Sequence, residues 1–239
     1  MVIWVEDLAC AWPGEARPAL AGVSFSAERG ELVCLAGCNG SGKSTLLQTL
    51  AGILAPASGV LRISAEGADR ASALLLQDAD MQIVGSTVAE DMLLAWIRPD
   101  EERIGEARAL AARLGLLECW DAPVHTLSYG QKRKLCLAAA LLAQPACLLL
   151  DEPFSGLDYP GLCELRGILK ANQAAGMAQV VSTHDLEPLL DISTRVLVLH
   201  GGGQVFCGEP ARALAELATR PEWGLRLPCS VRYSQSIAP

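Results

Sequence analysis

The chain has 239 residues, enough to bury a sizeable core in one α/β domain with an inserted subdomain or in two small domains. Apolar residues make up 51% of it and the mean hydropathy is +0.29, yet the longest uninterrupted apolar run, 135–143, is far shorter than the roughly 20 residues of a membrane-spanning helix. The formal net charge of −8 disfavours a broad nucleic-acid surface, which needs clustered Lys and Arg, but it does not exclude one phosphate pocket.

Two features of the sequence point to the inside of the cell. The N-terminal stretch 1–10 carries Glu6 and Asp7 and no basic leader region, so it predicts a first strand and not a signal peptide. The nine cysteines form no C-x-x-C pair, and several lie in apolar runs. They predict buried free thiols in a reducing compartment, ahead of disulfides or zinc ligands.

The first half of the chain predicts strands that lead into a helical insertion. Short β-rich stretches predict strands at 2–9, 22–28 and 31–37, separated by turns that contain Gly and Pro. A glycine-rich loop follows, and apolar residues at helical spacing predict a helix over 44–54. A strand at 73–77 then precedes the stretch 87–143, whose Ala, Leu, Glu and Arg content predicts a mostly helical subdomain.

The second half returns to alternating strands and helices. Predicted elements are a strand at 147–151, a helix at 160–176, a strand at 178–182, a short helix, and a hairpin over 195–209 turned by the glycines at 201–203. This alternation predicts a largely parallel sheet with its ligand site at the carboxyl ends of the strands. We therefore expect one domain over 1–220, and a tail over 221–239 whose lack of periodicity assigns it no role.

The segment 37–45 is the strongest chemical signal in the sequence. It satisfies the pattern G-x-x-x-x-G-K-[ST] between a predicted strand and a predicted helix. Glycines let backbone N–H groups turn inward around an anion, and the helix that starts at Lys43 adds its positive N-terminal end. Lys43 can reach the β- and γ-phosphates, and the Ser44 hydroxyl can ligate Mg²⁺. The predicted phosphate loop consists of Gly37, Cys38, Asn39, Gly40, Ser41, Gly42, Lys43, Ser44 and Thr45.

A buried apolar strand ends in two adjacent carboxylates, Asp151 and Glu152. Neighbouring side chains on a strand point to opposite faces, so the two can serve different purposes. Asp151 is predicted to face the Mg²⁺ ligand sphere, and Glu152 to polarise a water for attack on the γ-phosphorus. Alone, such a pair is commonly a solvated strand end, but with the phosphate loop it predicts a catalytic site.

The segment 127–131, Leu-Ser-Tyr-Gly-Gln, precedes a helical stretch and resembles the signature sequence of the ATP-binding-cassette family. The family has Gly where Tyr129 stands, so this chain carries a bulky side chain beside a turn that would cap a phosphate. A helix N-terminus again faces phosphate, with Ser128, the Gly130 N–H and Gln131 in the capping segment. In the family these groups act on ATP held by the other subunit. A simple Ser N-cap is the structural alternative.

Four further positions match the family in the same order along the chain. The resemblance implies that Gln77 touches Mg²⁺ and reports ATP occupancy, that Asp158 faces across a dimer, and that His184 contacts the γ-phosphate. It implies that Trp12 stacks on adenine, with Trp4 as a weaker alternative. Because stacking uses the face of a base and not its edge, we expect loose selectivity for the base.

The resemblance covers roughly residues 2–220 and implies a P-loop NTPase fold of the cassette type. A fold of this type would have a mostly parallel core sheet, an N-terminal antiparallel region and an inserted helical subdomain. ATP and Mg²⁺ are the implied cofactors. Because one chain carries both phosphate loop and signature segment, a head-to-tail pair would bury two ATP sites, formed by two copies or with a sister chain.

The stretch 77–91 is similar to the pattern Q-D-x-D-x-Q-[IL]-x-x-x-T-V-x-x-D of energy-coupling-factor and cobalt/nickel importer ATPases. This implies integral membrane partners, a peripheral location on the cytoplasmic face of the membrane and no nucleic-acid partner. The alternative is a soluble cassette ATPase, such as one that serves iron-sulfur cluster assembly. Structurally, the stretch could simply be a helix start capped by Ser86 or Thr87, with Glu90 nearby.

Cys38 lies inside the phosphate loop, where backbone dipoles and Lys43 should favour a thiolate if the sulfur is exposed. Thiol reagents would then inactivate the enzyme, and bound MgATP would protect it. The alternative is an inert side chain that points into the core.

Overall fold

The computed structural model describes residues 1–231 except 16, 66 and 69; the rest of the predicted tail, 232–239, lies outside the described residues. The strands are β1 Ile3–Cys10, β2 Leu20–Ala27, β3 Leu32–Ala36, β4 Ser58–Ile63, β5 Arg70–Leu75, β6 Pro145–Leu150, β7 Ala178–Thr183, β8 Arg195–His200 and β9 Gly203–Gly208. The α-helices are α1 Lys43–Leu50, α2 Val88–Leu93, α3 Glu101–Arg113, α4 Tyr129–Leu142, α5 Tyr159–Ala174 and α6 Pro210–Thr219.

The strands form one mixed sheet in the order β4-β1-β2-β9-β8-β3-β7-β6-β5. From β8 to β5, neighbouring strands run parallel, whereas β1 pairs antiparallel with both β2 and β4. The two regions meet at one parallel pair, Ala21 with Gly203. This confirms the predicted parallel core sheet with an N-terminal antiparallel region. The predicted hairpin is β8–β9, and its turn residues Gly201 and Gly202 have φ of 57° and 81°.

Both faces of the central sheet are covered, as β3 shows. Every residue of β3 is buried, and its side chains alternate between two cores. Leu32 and Cys34 belong to the core beneath α4, α5 and α6, while Val33 and Leu35 belong to the core beneath α1 and the antiparallel strands. Such continuous apolar strands are typical of a parallel sheet covered by helices.

Three elements differ from the sequence-based expectation: strand β5, predicted at 73–77, spans Arg70–Leu75, helix α1 is shorter, and one strand was missed. Helix α1 ends at Leu50 and not at 54, because the chain turns at Gly52, whose φ is +74°. Strand β4 was not predicted, since it is mostly exposed and has no apolar alternation. It forms at the sheet edge by pairing with β1.

The prediction of a short helix after β7 is wrong. Residues 187–192 form turns, closed by hydrogen bonds such as Leu189 N–H to the Leu186 carbonyl (3.0 Å). Bonds of the α-helical type occur singly, from Leu190 N–H to the Leu186 carbonyl (3.0 Å) and from Ser193 N–H to the Leu189 carbonyl (2.8 Å), whereas an α-helix needs consecutive ones.

The predicted helical stretch 87–143 contains α2, α3 and α4, which pack around a core of their own. Val88, Met92 and Leu135 are fully buried in it, and Trp120 is nearly so. Apolar burial of this kind contributes about 1.5–3 kcal/mol for each large side chain.

The first residues of the predicted tail pack on the main core. Trp223 is 5% exposed and Leu225 is 8% exposed, and both belong to the core beneath α5 and α6. The Trp223 ring lies 6.2 Å from that of Phe206, between centroids. The chain is therefore anchored by apolar burial just after Pro221.

All nine cysteines are free, but their environments differ. Cys10, Cys34, Cys136 and Cys147 are buried as predicted, while Cys163 and Cys229 are exposed. Burial raises the pKa of the Cys34 thiol to about 12. In the part of the chain that the structure describes, no helix has the length and apolar character needed to cross a bilayer.

The buried Trp223 makes a stability prediction. Replacing Trp223 with Ala should lower the free energy of unfolding by about 3–5 kcal/mol, because it removes a large buried ring and leaves a cavity. Urea unfolding followed by circular dichroism measures this. The control is Trp4→Ala, at a position that is 39% exposed, which should cost about 1 kcal/mol or less. Equal losses in the two variants would contradict the anchoring role.

Candidate functional site

The loop between β3 and α1 is shaped by two glycines. Gly37 is so tightly enclosed that a Cβ there would lie 2.6 Å from the Leu199 carbonyl oxygen. Gly42, the N-cap of α1, has φ +102°, and a Cβ would lie 2.5 Å from the Leu20 side chain. Only glycine satisfies both positions. The loop is thereby held against the sheet, and α1 begins at Lys43 as predicted.

Lys43 is 6% exposed and directs its ammonium group back across this loop. The Nζ donates to the carbonyl oxygens of Gly37 (2.8 Å) and Cys38 (3.2 Å). It also lies 3.2 Å from Oε1 of Glu152. The charge is therefore desolvated but compensated by three oxygens.

Glu152 joins Lys43 to His184. Its second carboxylate oxygen, Oε2, lies 2.8 Å from His184 Nδ1. The residue is 8% exposed and has φ +46°, a left-handed conformation that costs a non-glycine residue roughly 1–2 kcal/mol. Its backbone N–H donates to Ser182 Oγ at 2.8 Å, which helps to hold this conformation.

Ser182 is a site residue that the sequence analysis missed. It is fully buried near the end of β7, and its hydroxyl donates to Asp151 Oδ1 at 2.6 Å. One side chain thus holds both adjacent acidic residues, Asp151 by its carboxylate and Glu152 by its backbone. A hydroxyl residue near the carboxyl end of a fully buried strand was the available signal.

A cavity of about 580 Å³ opens at the carboxyl ends of the parallel strands. It is where parallel α/β sheets bind ligands. Most predicted cofactor residues line it together, including Trp12, which is 38% exposed, whereas Trp4 lies on a separate surface pocket. The predicted residues on the cavity are Trp12, Asn39, Gly40, Gly42, Lys43, Ser44, Thr45, Gln77, Glu152 and His184, joined by the unpredicted Glu15, Ala19 and Ser155.

The signature residues are not brought to that cavity. Ser128, Gly130, Gln131 and Asp158 line a different cleft of about 330 Å³, between α4 and α5, which Asp151 also touches. In one chain the two predicted halves of the site are therefore separate. Three loop residues do not line the cavity: Gly37 and Ser41 are buried, and Cys38 is half-buried.

The start of α4 has a complete capping box. Ser128 Oγ accepts from the Gln131 N–H (3.2 Å), and Gln131 Oε1 accepts from the Ser128 N–H (2.8 Å). Ser128 is exposed, so the positive end of a 14-residue helix faces outward. The N-cap alternative is therefore correct as a local description, and it leaves the helix end open to an anion from outside the chain.

The structure gives Cys38 an environment that neither expectation described. Its thiol points neither into the core nor freely into the phosphate loop, because it donates to the Trp223 carbonyl at 3.3 Å. The sulfur also abuts Gly224, where a Cβ would come within 2.5 Å of it.

Comparison with known proteins agrees with this geometry. A family model described as ABC transporter matches residues 20–155, more than half of the chain. The cobalt import ATP-binding protein CbiO of Rhodobacter capsulatus is 38% identical over 99% of this chain and 89% of its own length. The energy-coupling factor transporter ATP-binding protein EcfA3 of Clostridium perfringens is 31% identical over 88% of this chain and 79% of its own length.

A solved structure shows the same architecture. That of cbiO1 from Clostridium perfringens, described as part of the ABC transporter complex cbiONQ, has a TM-score of 0.78 and 30% identity and covers 99% of both chains. This confirms the predicted cassette-type P-loop fold. The glycine-shaped loop, the paired carboxylates and the signature helix, together with these similarities, show that the chain belongs to the ABC transporter family as one of its ATP-binding, ATP-hydrolysing subunits.

Proposed function

We propose that this chain powers a membrane importer of the energy-coupling-factor or cobalt type, with a vitamin or a transition-metal ion as the solute. The segment 77–91 carries the proposal. Its family-like residues shape a surface and do not line the nucleotide cavity, apart from Gln77. The names of CbiO and EcfA3 agree with this assignment.

Two polar residues of the pattern in 77–91 make hydrogen bonds to the backbone of the chain. Gln82 returns to the end of β5, where its side chain accepts from the Leu76 N–H (3.1 Å) and donates to the Leu74 carbonyl (2.9 Å). Asp91, 4% exposed, accepts from two successive backbone N–H groups at 2.8 and 2.9 Å. These side chains are satisfied within the chain, so they define a shape that a partner could recognise.

The same region exposes large apolar side chains. Val84 is 79% exposed and Ile97 is 97% exposed, and Met81 is also strongly exposed. Nearby, Ile53 and Leu94 line a groove of about 400 Å³. Exposed apolar groups around a groove are typical of a protein-protein contact. We assign this surface to the integral membrane subunits, with the chain attached to the cytoplasmic face of the membrane.

The hydrolytic roles follow from the Lys43–Glu152–His184 contacts. A triphosphate in the cavity would place its γ-phosphate near Lys43. The Lys43 ammonium group would then leave the Glu152 carboxylate and bind phosphate oxygens. Glu152, released from this ion pair, would orient the attacking water as the general base. His184, 2.8 Å from Glu152, would contact the γ-phosphate and keep the carboxylate in position. Trp12 would stack on the adenine.

The donor set fits Mg²⁺. Ser44, Gln77 and Asp151 offer hydroxyl, amide and carboxylate oxygens, the hard ligands that this ion prefers beside nucleotide phosphates. Ser44 and Gln77 lie on the nucleotide cavity, and Ser182 fixes the Asp151 carboxylate. When bound, the ion would neutralise charge that develops on the phosphate oxygens.

A second subunit completes the proposed site. Ser128, Gly130, Gln131 and Asp158 lie on a cleft apart from the chain's own nucleotide cavity. We infer that they meet the nucleotide of a partner, which is another copy or a sister ATPase. ATP would then favour the closed pair, and hydrolysis would release it, which shifts the population of states in the membrane subunits.

Replacing Glu152 with Gln tests the base. The amide keeps the shape but cannot accept a proton, so kcat should fall by about 100-fold or more while ATP binding is retained. Phosphate release measures kcat, and size-exclusion chromatography with ATP should show an accumulated dimer. Hydrolysis at the parental rate would remove Glu152 from this role.

Replacing Trp12 with Ala tests the base-stacking role. The dissociation constant for ATP should rise about 10-fold, because a stacked base contributes on the order of 1–3 kcal/mol. A fluorescent ATP analogue reports the affinity, and GTP should compete nearly as well as ATP. The matched control is Trp4→Ala, which lies away from the cavity and should bind as the parent does.

Co-purification tests the importer. From detergent extracts of its own cells, the tagged chain should bring down a polytopic membrane protein, and Val84→Asp should lose it because a charge is placed in the apolar contact. Val60→Asp, on exposed edge strand β4, is the control and should retain it. Recovery of soluble scaffold proteins alone would instead support the iron-sulfur assembly alternative.

A further inference from the structure

Arg133, in the second turn of α4, contacts four backbone carbonyls on the far side of the cleft. One guanidinium nitrogen donates to Pro153 (2.8 Å) and Ser155 (2.6 Å), and the other donates to Glu152 (3.1 Å) and Gln77 (3.3 Å). The planar fork of Arg suits this task, since it presents several donors in fixed directions.

These carbonyls belong to the segments that carry the predicted chemistry. The peptide groups on both sides of Glu152 are fixed, because its N–H donates to Ser182 and its carbonyl accepts from Arg133. Glu152 is the residue held at φ +46°. A strained backbone conformation persists only where several contacts hold it in place. The hydrogen bond from Arg133 to the Glu152 carbonyl is one such contact, and it comes from the helical subdomain.

Tyr129 stacks over this guanidinium. Its ring centroid lies 5.1 Å from the Arg133 Cζ, and the four-residue spacing on α4 places the two side chains on one helical face. The ring also reaches the turn after β6, since its Cε1 lies 3.6 Å from where a Gly156 Cβ would be. The departure from the family signature therefore has a definite partner within the chain.

We propose that Tyr129 and Arg133 form a clamp that positions Glu152 for hydrolysis and ties the signature helix to the catalytic edge of the sheet. Arg133 acts as a positioning residue through the Glu152 backbone, and Tyr129 orients and shields the guanidinium. Movement of α4 is thereby transmitted to the base. This inference rests on the proposed role of Glu152.

The neighbouring cation on α4 provides a matched control. Lys134 pairs with Glu164 of α5 at 2.8 Å, so it also links α4 to the core, but through a half-buried side-chain pair. Removing it by Lys134→Gln weakens the link between subdomains without touching the carbonyls around Glu152. If Arg133 acts only by linking the subdomains, Lys134→Gln and Arg133→Lys should lower kcat alike. If it positions Glu152, only Arg133→Lys should lower kcat.

The test compares Arg133→Lys, Tyr129→Leu, the double variant and Lys134→Gln in purified full-length chain. Lysine cannot span four carbonyls, so Arg133→Lys should lower kcat about 10-fold, as expected for small misplacement of a catalytic group. The dissociation constant for a fluorescent ATP analogue should stay within about twofold, because the phosphate loop is unaltered. Lys134→Gln should keep the parental kcat.

Non-additivity identifies the clamp. Tyr129→Leu, at an exposed position that tolerates the change, should lower kcat about threefold, and Tyr129→Phe should lie nearer the parent because it keeps the ring. The double variant should match Arg133→Lys alone, since the ring acts through the guanidinium. A double variant whose loss equals the product of the single losses overturns the clamp, as does parental kcat in Arg133→Lys.

Glu152→Gln separates this inference from the proposed function. If Glu152→Gln abolishes hydrolysis while Arg133→Lys and Tyr129→Leu leave kcat intact, the clamp fails and the base assignment stands. If Glu152→Gln hydrolyses ATP at the parental rate, the base assignment fails, and the clamp fails with it.

Discussion

The contact between the Lys43 ammonium and the Glu152 carboxylate, 3.2 Å apart and nearly excluded from solvent, is the interaction on which the site depends. Two buried charges are tolerated only when each is paired and hydrogen-bonded, and losing one partner of such a pair costs about 3–5 kcal/mol. The neighbouring structure meets that demand. Two loop carbonyls accept hydrogen bonds from Lys43, His184 contacts the other carboxylate oxygen of Glu152, and Ser182 accepts from the Glu152 backbone N–H.

The parallel central strands bring these site residues together. β3, β7 and β6 are adjacent and run in one direction, so the phosphate loop, His184 and Glu152 all follow strand ends at the same edge. The helical subdomain approaches that edge through α4. Arg133 crosses the cleft, and the exposed N-terminus of α4 faces outward. In our proposal, this one helix acts both on its own catalytic edge and on a partner's nucleotide.

Sequence-based prediction succeeded where the signal was local and failed where it was not. The phosphate loop combines a strand, glycines at demanding positions and a helix start within a dozen residues, and each part constrains the others. The short helix expected after β7 is absent, because isolated hydrogen bonds close turns there without a consecutive helical series. β4 was missed because an exposed edge strand is formed by its pairing with β1 and not by a pattern of its own.

The order of motifs along the chain was enough to predict the family, the phosphate loop and the paired carboxylates, because those residues work through short spacings that the backbone preserves. The order of motifs could not predict contacts between residues far apart in the sequence. Ser182 meets Asp151 across β7 and β6, Cys38 meets Trp223, and Arg133 meets Glu152, each through packing of elements far apart in the chain. Such pairings depend on how strands and helices fill one core, which side-chain patterns along a single segment do not encode.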